Sequence, residues 1–231
     1  MHGGDQDDVL IGDLGYGYHG EFFFGNDDLQ GGNRDDLLCG DAVYLLRWNS
    51  SLSRDAIYHL GDDNLKGGDG NDFLFGDALS IENSTTTGSF EVDGGSDKLN
   101  SGSGDDFLAG GWGNDTLTGG TGYDDFIFNT PLDSVTNVDR ITDFNHVEDQ
   151  IQLDPAICTG VGIGIDGTIE AAQFALKGQE TSDTRIIYNA RAHTLAYDAD
   201  GNGDGAVAVV FVVLAGTPTI DSSDFVVGSI W

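Results

Sequence analysis

An apolar residue recurs every nine positions through the first half of the chain, set among glycines and acidic residues. Residues 67–75, GGDGNDFLF, give the template G-G-x-G-x-D-x-U-x, in which U is a large apolar residue. Leucine fills the U position in every copy except one, which has Phe126. Because side chains alternate across a strand, each x-U-x triplet predicts a very short strand whose U residue points into a narrow core of stacked leucines.

The template occurs nine times, and its sixth position is Asp in every copy. A disordered acidic linker is the alternative for a Gly/Asp-rich sequence, but the strict period and the apolar register argue against it. Residues 110–118 and 119–127 match the template most closely, and 101–109 lacks only the first glycine. The more divergent copies are 3–11, 22–30, 31–39, 58–66 and 92–100.

The net charge of the chain indicates which kinds of partner it can bind. The sequence has 40 Asp plus Glu against 9 Lys plus Arg, a formal net charge of −31. This charge argues against nucleic acid and anionic membrane surfaces as partners and favours cations. Glycines leave main-chain carbonyls unobstructed, and the neighbouring Asp adds a formal charge. Because Ca²⁺ takes about six to eight oxygen ligands of this kind, we predict that the chain binds several Ca²⁺ ions.

The repeat resembles that of the RTX family, the hemolysin-type calcium-binding nonapeptide proteins, and the resemblance covers essentially the whole chain. It implies an all-β fold, a right-handed parallel β-roll in which two nonapeptides make one turn and each Ca²⁺ lies between same-edge loops two repeats apart. The candidate metal ligands are the sixth-position aspartates, the glycines of positions two and four, and the aspartate that opens each interruption of the period. They are Asp8, Asp27, Asp36, Asp63, Asp72, Asp97, Asp106, Asp115 and Asp124; Gly4, Gly25, Gly32, Gly61, Gly68, Gly70, Gly95, Gly102, Gly104, Gly111, Gly113, Gly120 and Gly122; and Asp13, Asp41 and Asp77.

Three segments interrupt the period, residues 12–21, 40–57 and 76–91, and each begins with Gly-Asp. We predict that each is one enlarged loop that takes the place of a normal loop, so that loops keep alternating between the two edges. The alternative is that 40–57 contains a further full turn. The predicted same-edge pairs are Asp8 with Asp27, Asp36 with Asp63, Asp72 with Asp97, Asp97 with Asp115, and Asp106 with Asp124.

The enlarged loops carry aromatic residues and an arginine, Tyr44, Arg47 and Trp48. Such residues favour interfaces, so they are candidates to contact a ligand or a parent domain. The alternative is that these segments fold back and cover the roll.

The repeats stop after Asp124, and strand-like segments follow at 138–144, 149–153, 184–189, 193–198 and 206–215. We predict one helix at 169–177, with Thr168 as its N-cap and Gly178 after its end. Because solenoids need covered ends, residues 1–124 are expected to form the roll and 125–231 a β-rich capping and secretion-signal region.

Two C-terminal stretches carry further candidate signals. Residues 198–205, DADGNGDG, match the first half of an EF-hand loop, but its twelfth position is Val209, so we favour a polar hairpin turn over a calcium site. Residues 224–227, DFVV, resemble the acidic-then-apolar export signal of RTX proteins secreted by the type I route.

No enzyme is expected, because the sequence contains neither the HExxH zinc motif nor the GxSxG nucleophile motif. The resemblance implies a calcium-binding region of a secreted, extracellular bacterial protein that folds when it binds calcium outside the cell. It implies the type I secretion machinery as a partner and a larger parent protein whose N-terminal domain is not on this chain. A calcium-dependent module that binds polysaccharide or cell surfaces is the alternative. The chain is expected to be a monomer.

The remaining signals concern the cell compartment and the thiols. No N-terminal signal peptide is recognised, and the longest apolar run, 206–215, is too short to span a membrane. Cys39 and Cys158 are the only cysteines. Two unrelated thiols are favoured, and a single bridge between them is the alternative.

Overall fold

The computed structural model of the chain describes residues 1–15, 20–46, 56–82, 90–164, 167–203 and 205–228. Within these ranges the chain forms twenty short strands and two 3-10 turns, at Ala171–Gln173 and Ser222–Asp224. The predicted all-β fold is confirmed. The strands are β1 (His2–Gly4), β2 (Val9–Gly15), β3 (Gly20–Phe23), β4 (Asp28–Asn33), β5 (Leu37–Leu46), β6 (Ala56–His59), β7 (Asn64–Asp69), β8 (Phe73–Glu82), β9 (Phe90–Asp93), β10 (Lys98–Ser103), β11 (Phe107–Ala109), β12 (Thr116–Thr121), β13 (Asp125–Phe128), β14 (Asp139–Ile141), β15 (Gln150–Leu153), β16 (Phe174–Leu176), β17 (Ile186–Asn189), β18 (Thr194–Tyr197), β19 (Val209–Leu214) and β20 (Phe225–Val227).

Two sheets build the roll, and the chain alternates between them. The first sheet has the order β1-β4-β7-β10-β12-β14-β19-β18-β17-β16, and the second has the order β2-β5-β8-β11-β13-β15-β20. The strands pair in parallel from β1 to β19 in the first sheet and throughout the second. One strand from each sheet makes one coil, and stacked coils give the parallel β-roll that the repeat predicts.

Stacked apolar side chains fill the space between these two sheets. Leu29 pairs in register with Leu65, and Leu38 pairs with Leu74. The U residues of all nine repeats are buried, none more than 9% exposed. Burial of a leucine side chain contributes about 1.5–3 kcal/mol, so this column stabilises every coil against its neighbours. The predicted core is therefore present.

The three interruptions leave the roll and return to it. The second-sheet strands β5 and β8 continue outward beyond their coils, and the chain returns along β6 and β9. The return strands β3, β6 and β9 form a third, parallel sheet. After each interruption the chain resumes in the first sheet, at β4, β7 or β10. Within the described residues, segment 40–57 adds no strand to either roll sheet, which argues against a hidden full turn.

The tips of the interruptions lie outside the described residues, at 16–19, 47–55 and 83–89. Arg47 and Trp48 belong to these tips, and Tyr44 lies in β5. Their proposed contact with a ligand or a parent domain therefore stays a prediction.

The C-terminal half extends both roll sheets. Strand β13 pairs with β11, and β14 and β15 continue the first and the second sheet. Strands β19 and β20 then add one more strand to each sheet. The expected boundary between residues 124 and 125 therefore coincides with no sheet edge, and the division into a roll and a cap stays a prediction.

Two local expectations for this half have different outcomes. The predicted helix at 169–177 is wrong, because only a 3-10 turn forms there and Phe174–Leu176 becomes β16, paired with β17. The favoured hairpin at 198–205 is confirmed, because this segment connects the antiparallel strands β18 and β19. No helix in the described part of the chain is long and apolar enough to cross a membrane.

The two cysteines lie in different apolar clusters. Both Cys39 and Cys158 are buried, and they form no disulfide. Cys158 lies in the roll core, whereas Cys39 packs in a separate apolar cluster with Phe75, Ala109 and Ile127. The favoured interpretation of two unrelated thiols is confirmed.

Candidate metal centre

Aspartates form a hydrogen-bonded column along each edge of the roll. In each column, the backbone N–H of one aspartate donates to Oδ1 of the aspartate one coil further along, at 2.7–3.2 Å. These columns place all nine sixth-position aspartates. Edge 1 contains Asp8, Asp36, Asp72, Asp106 and Asp124, and edge 2 contains Asp27, Asp63, Asp97 and Asp115.

The columns correct three of the predicted same-edge pairs. Asp8 lies beside Asp36 instead of Asp27, Asp36 beside Asp72 instead of Asp63, and Asp72 beside Asp106 instead of Asp97. The structure does bring together the two pairs from the uninterrupted stretch. These pairs are Asp97 with Asp115, and Asp106 with Asp124.

The reason is that each interruption lies inside a loop instead of replacing one. In the uninterrupted loop 110–115, the first glycine packs so closely on the sixth-position Asp115 that an added Cβ would overlap its Oδ2. The same contact joins Gly40 to Asp63 across the second interruption. Gly12 with Asp27 and Gly76 with Asp97 repeat it. Each interruption is therefore an insertion after the second position of an edge 2 loop.

The aspartates of the two hydrogen-bonded columns form a ladder. Most of these ladder aspartates keep one carboxylate oxygen without a hydrogen-bond partner. In seven of them, Oδ1 accepts the backbone hydrogen bond while Oδ2 is buried and has no hydrogen-bond partner. A buried anionic oxygen of this kind is costly unless a cation or a donor satisfies it. The seven residues, all at most 2% exposed, are Asp36, Asp63, Asp72, Asp97, Asp106, Asp115 and Asp124. Their free oxygens fit a hard divalent cation such as Ca²⁺.

The raised pKa values of these carboxylates indicate that their negative charge is not compensated in the cation-free fold. Burial, and next the neighbouring Asp106, raise the pKa of Asp72 to about 7. Burial and Asp149 likewise raise the pKa of Asp124 to about 7. The pKa values of Asp97 and Asp115 lie still further above the usual range, because both are buried and each faces another carboxylate. Without a cation, this fold favours protonated aspartates near neutral pH.

The motif glycines shape a narrow cradle beside these oxygens. Most of them have a positive φ, for example +130° at Gly68 and +137° at Gly70. An added Cβ at Gly68 would overlap the carbonyl oxygen of Gly32, so glycine carbonyls stack closely from coil to coil. Gly25, Gly61 and Gly95 differ, because their φ is not positive, yet an added Cβ at Gly61 or Gly95 would still meet the carbonyl oxygen one coil away.

The aspartates that open the interruptions line edge 2 as well. Asp13, Asp41 and Asp77 are direct neighbours in the register of β2, β5 and β8. Their Oδ2 atoms accept hydrogen bonds from backbone N–H groups, Asp13 from Gly25 at 2.7 Å and Asp41 from Gly61 at 2.6 Å. Burial, and next the charge of Asp63, raise the pKa of Asp41 to about 7.

Sequence reasoning missed the aspartates that continue both columns beyond the repeats. The backbone N–H of Asp124 donates to Oδ1 of Asp149, and that of Asp115 donates to Oδ1 of Asp139. Asp139-Arg-Ile and Asp149-Gln-Ile keep the Asp-x-U triplet but lack the glycines, so a search for D-x-U alone would have found them. Asp143 closes the glycine column, because its carboxylate accepts the N–H groups of Gly119 and Gly120.

A second acidic group joins the C-terminal strand to the roll. His146 Nδ1 lies 2.6 Å from Asp224 Oδ1, and its Nε2 lies 4.0 Å from Asp221 Oδ2. Sequence reasoning could not pair these residues, because His146 and Asp224 are far apart along the chain. Asp221 and Asp224 form a capping box on the 3-10 turn before β20. Because His146 Nδ1 already contacts the buried carboxylate of Asp224, we interpret this acidic group as a structural link between the C-terminal strand and the roll.

A comparison with protein-family models agrees with the repeats that form these columns. A family model described as the RTX calcium-binding nonapeptide repeat (4 copies) matches residues 1–18, 60–78 and 92–126. Among solved structures, the solution structure of the AlgE6R3 subunit from the Azotobacter vinelandii mannuronan C5-epimerase is similar over 88% of this chain and 78% of its own, with 20% identity and a TM-score of 0.41. No curated protein matches the chain.

Proposed function

Starting from a chain that is a calcium-binding β-roll of the RTX type, we propose that it is a folding switch in a secreted bacterial protein, and that the ions are part of its fold. The observation that carries this proposal is the set of seven buried Oδ2 atoms without a hydrogen-bond partner. Bound Ca²⁺ would supply the positive charge that these oxygens lack, and the oxygens would be its ligands. The residues that would hold it are the ladder aspartates and the motif glycine carbonyls of neighbouring coils.

Electrostatics explain why folding should depend on calcium. The chain carries a formal charge of −31, and coil stacking brings carboxylates together in columns. At low calcium this repulsion favours an expanded chain. Calcium that binds only the folded form shifts the equilibrium towards that form. Sites of the extracellular type bind at about 10⁻⁴–10⁻³ M, so they would fill outside the cell and stay empty in the cytosol.

The C-terminus supports a link between this switch and export. Phe225 is fully buried in β20, and Asp224 is 2% exposed. An exporter that recognises residues 224–227 would therefore reach Asp224 and Phe225 only in an unfolded chain. A chain that stays unfolded until it reaches calcium satisfies that requirement. This supports export by a type I machinery as part of a larger parent protein, and we propose no catalytic role.

The test is far-UV circular dichroism during a Ca²⁺ titration from an EDTA-treated start, with Mg²⁺ as the control ion. We expect a cooperative transition from coil to β structure with Ca²⁺ and none with Mg²⁺ at the same concentration. A chain that already has its full β signal in EDTA would contradict the switch.

One surface supports the alternative of a calcium-dependent polysaccharide- or cell-surface-binding module. On the third sheet, Phe23 is 73% exposed and stacks on His59 with ring centroids 4.5 Å apart. His59 contacts Asp93 at 3.1 Å, so an aromatic ring and a carboxylate share one exposed face. If this surface binds glycans, Phe23→Ala should abolish retention on a polysaccharide resin without changing the calcium-induced β signal. Equal retention of both proteins would refute this alternative.

A further inference from the structure

The loops of the two edges of the roll bury different numbers of carboxylates. On edge 1 the second position of each loop is glycine, as at Gly32 and Gly68, with φ of +126° and +130°. On edge 2 the same position is Asp in the three interrupted loops, where the strand continues outward with an extended backbone that accepts a side chain. In the uninterrupted edge 2 loop, residues 110–115, the second position is again a glycine, Gly111, with φ of +105°. The insertion and the additional carboxylate therefore occur together.

The additional carboxylates point at the ladder instead of at solvent. Ligand oxygens of Asp13, Asp27 and Asp41 all lie within 4.8 Å of one another. Asp41 is fully buried and Asp77 is 5% exposed. In both residues Oδ1 is buried without a hydrogen-bond partner. Two buried free oxygens of this kind, beside ladder oxygens that also lack partners, indicate a cation at this edge.

We propose that the interrupted part of edge 2, with Asp13, Asp41 and Asp77 beside the ladder, binds calcium more tightly than edge 1 and fills first. This inference rests on the proposed calcium function and adds an order of filling to it. Calcium affinity rises with the number of charged ligands and with the rigidity of the site. In the second and third interrupted loops, edge 2 buries two carboxylates, Asp41 with Asp63 and Asp77 with Asp97, whereas each edge 1 loop buries at most one.

Filling of edge 2 would also close the bases of the enlarged loops. Asp13 lies on the outward strand of its loop, and its Oδ2 accepts the N–H of Gly25 on the return side. Asp41 is bonded to Gly61 in the same way. A cation held by these aspartates and by the ladder residue of the same loop links both sides of the insertion. The enlarged loops are therefore fixed at lower calcium than the edge 1 loops.

Terbium luminescence tests the order of filling, because Tb³⁺ replaces Ca²⁺ and emits when tryptophan transfers energy to it. Trp112 lies in an edge 2 loop, and its backbone N–H donates to Asp77 Oδ2 at 3.2 Å. With Tb³⁺ below one equivalent, we expect emission excited through tryptophan, and we expect Trp112→Phe to remove most of it. Asp77→Asn should raise the Tb³⁺ concentration needed for half of this signal at least ten-fold.

Two variants with the same charge change make the test specific. Asp62→Asn removes an exposed edge 2 carboxylate and keeps the oxygen that accepts the N–H of Ser96, so it should leave the signal unchanged. Asp72→Asn alters an edge 1 ligand and should leave the first phase intact. An Asp77→Asn protein that binds early Tb³⁺ like the wild type, or an Asp72→Asn protein weakened to the same extent, overturns the order of filling.

Hydrogen exchange measured at an intermediate Ca²⁺ concentration is a second test of the order in which the two edges fill. Peptides from the edge 2 loops, around residues 25–27 and 61–63, should be protected before those around 32–36 and 68–72. Simultaneous protection of both edges overturns the inference while leaving the calcium function in place. A wild-type chain that binds neither Ca²⁺ nor Tb³⁺ overturns the calcium function itself.

Discussion

Replacement of one ladder aspartate should have opposite effects with and without calcium. Asp72 is fully buried, its Oδ1 accepts the N–H of Asp36 at 2.8 Å, and its Oδ2 has no hydrogen-bond partner. The substitution Asp72→Asn keeps the accepting oxygen and removes the charge. In calcium it deletes a charged ligand, whereas in EDTA it removes a buried charge that nothing compensates.

The magnitude in EDTA follows from the pKa of Asp72, which burial and Asp106 raise from 3.8 to about 7. At about 1.4 kcal/mol per pH unit, the charge destabilises the cation-free fold at pH 7 by about 4 kcal/mol, and by about 2–4 kcal/mol after allowing for water at the loop. Because the pKa is higher in the folded chain, the folded form binds more protons. The stability of the cation-free fold therefore falls as pH rises from about 4 to about 7.

The assay is folding driven by trimethylamine N-oxide in EDTA at pH 7, followed by far-UV circular dichroism, because this osmolyte favours compact states. Asp72→Asn should need less osmolyte than the wild type. In calcium the same variant should unfold more easily, with the Ca²⁺ midpoint of the complete β signal, which requires edge 1 to be filled, raised about ten-fold, or about 1.4 kcal/mol, while the early Tb³⁺ signal of edge 2 stays unchanged. Asp35→Asn removes an exposed charge of the adjacent edge 1 loop, keeps the oxygen that accepts the N–H of Asn71, and should change neither midpoint strongly. Destabilisation by Asp72→Asn in both conditions would refute the reasoning.

Four further outcomes can be measured. Leu74→Ala, in the buried column, should lower stability in calcium by about 2–5 kcal/mol in urea unfolding, whereas Val9→Ala, at a side chain 66% exposed, should lower it far less. Arg34 has a φ of +79° at a position where seven of the other eight copies have glycine. Arg34→Gly should therefore stabilise the calcium-bound fold by about 0.5–1 kcal/mol and raise its melting temperature, and a lower melting temperature would contradict backbone strain at this position. In EDTA, the wild-type β signal should increase as pH falls from about 7 to about 4, because protonation replaces the cation; a pH-independent signal would contradict this. Burial and Asp154 raise the pKa of Cys158 to about 12 in the folded chain. The thiol should therefore react slowly with a disulfide reagent in calcium and rapidly in EDTA, where the chain is unfolded. Equal rates would show that calcium does not protect the core.

The sequence predicts the core of the roll well because one residue type repeats in one register. Leu29, Leu65 and Leu99 occupy the same place in successive coils, as the nine-residue period requires. The ladder aspartates follow from the same period, since a fixed offset from a buried leucine places each of them in a loop.

The pairing of aspartates along each edge could not be predicted from the period, because the period does not show whether an insertion replaces a loop or lies inside one. The contact between Gly40 and Asp63 decides this, and it exists only in three dimensions. The helix expected at 169–177 failed for a related reason. Ala175 is buried and β16 pairs with β17, so tertiary pairing outweighs the local preference of a short helical segment.

The insertions inside the edge 2 loops make this roll a scaffold for protein engineering. Gly76 and Asp97 meet as closely as Gly110 and Asp115 do, although a long excursion separates the first pair and an ordinary turn separates the second. The register of the coils is therefore independent of what is inserted between them. A foreign peptide grafted between the second and fourth positions of loop 110–115 would project beside the natural excursions and leave the leucine stack undisturbed. Calcium would then control the display of the grafted segment.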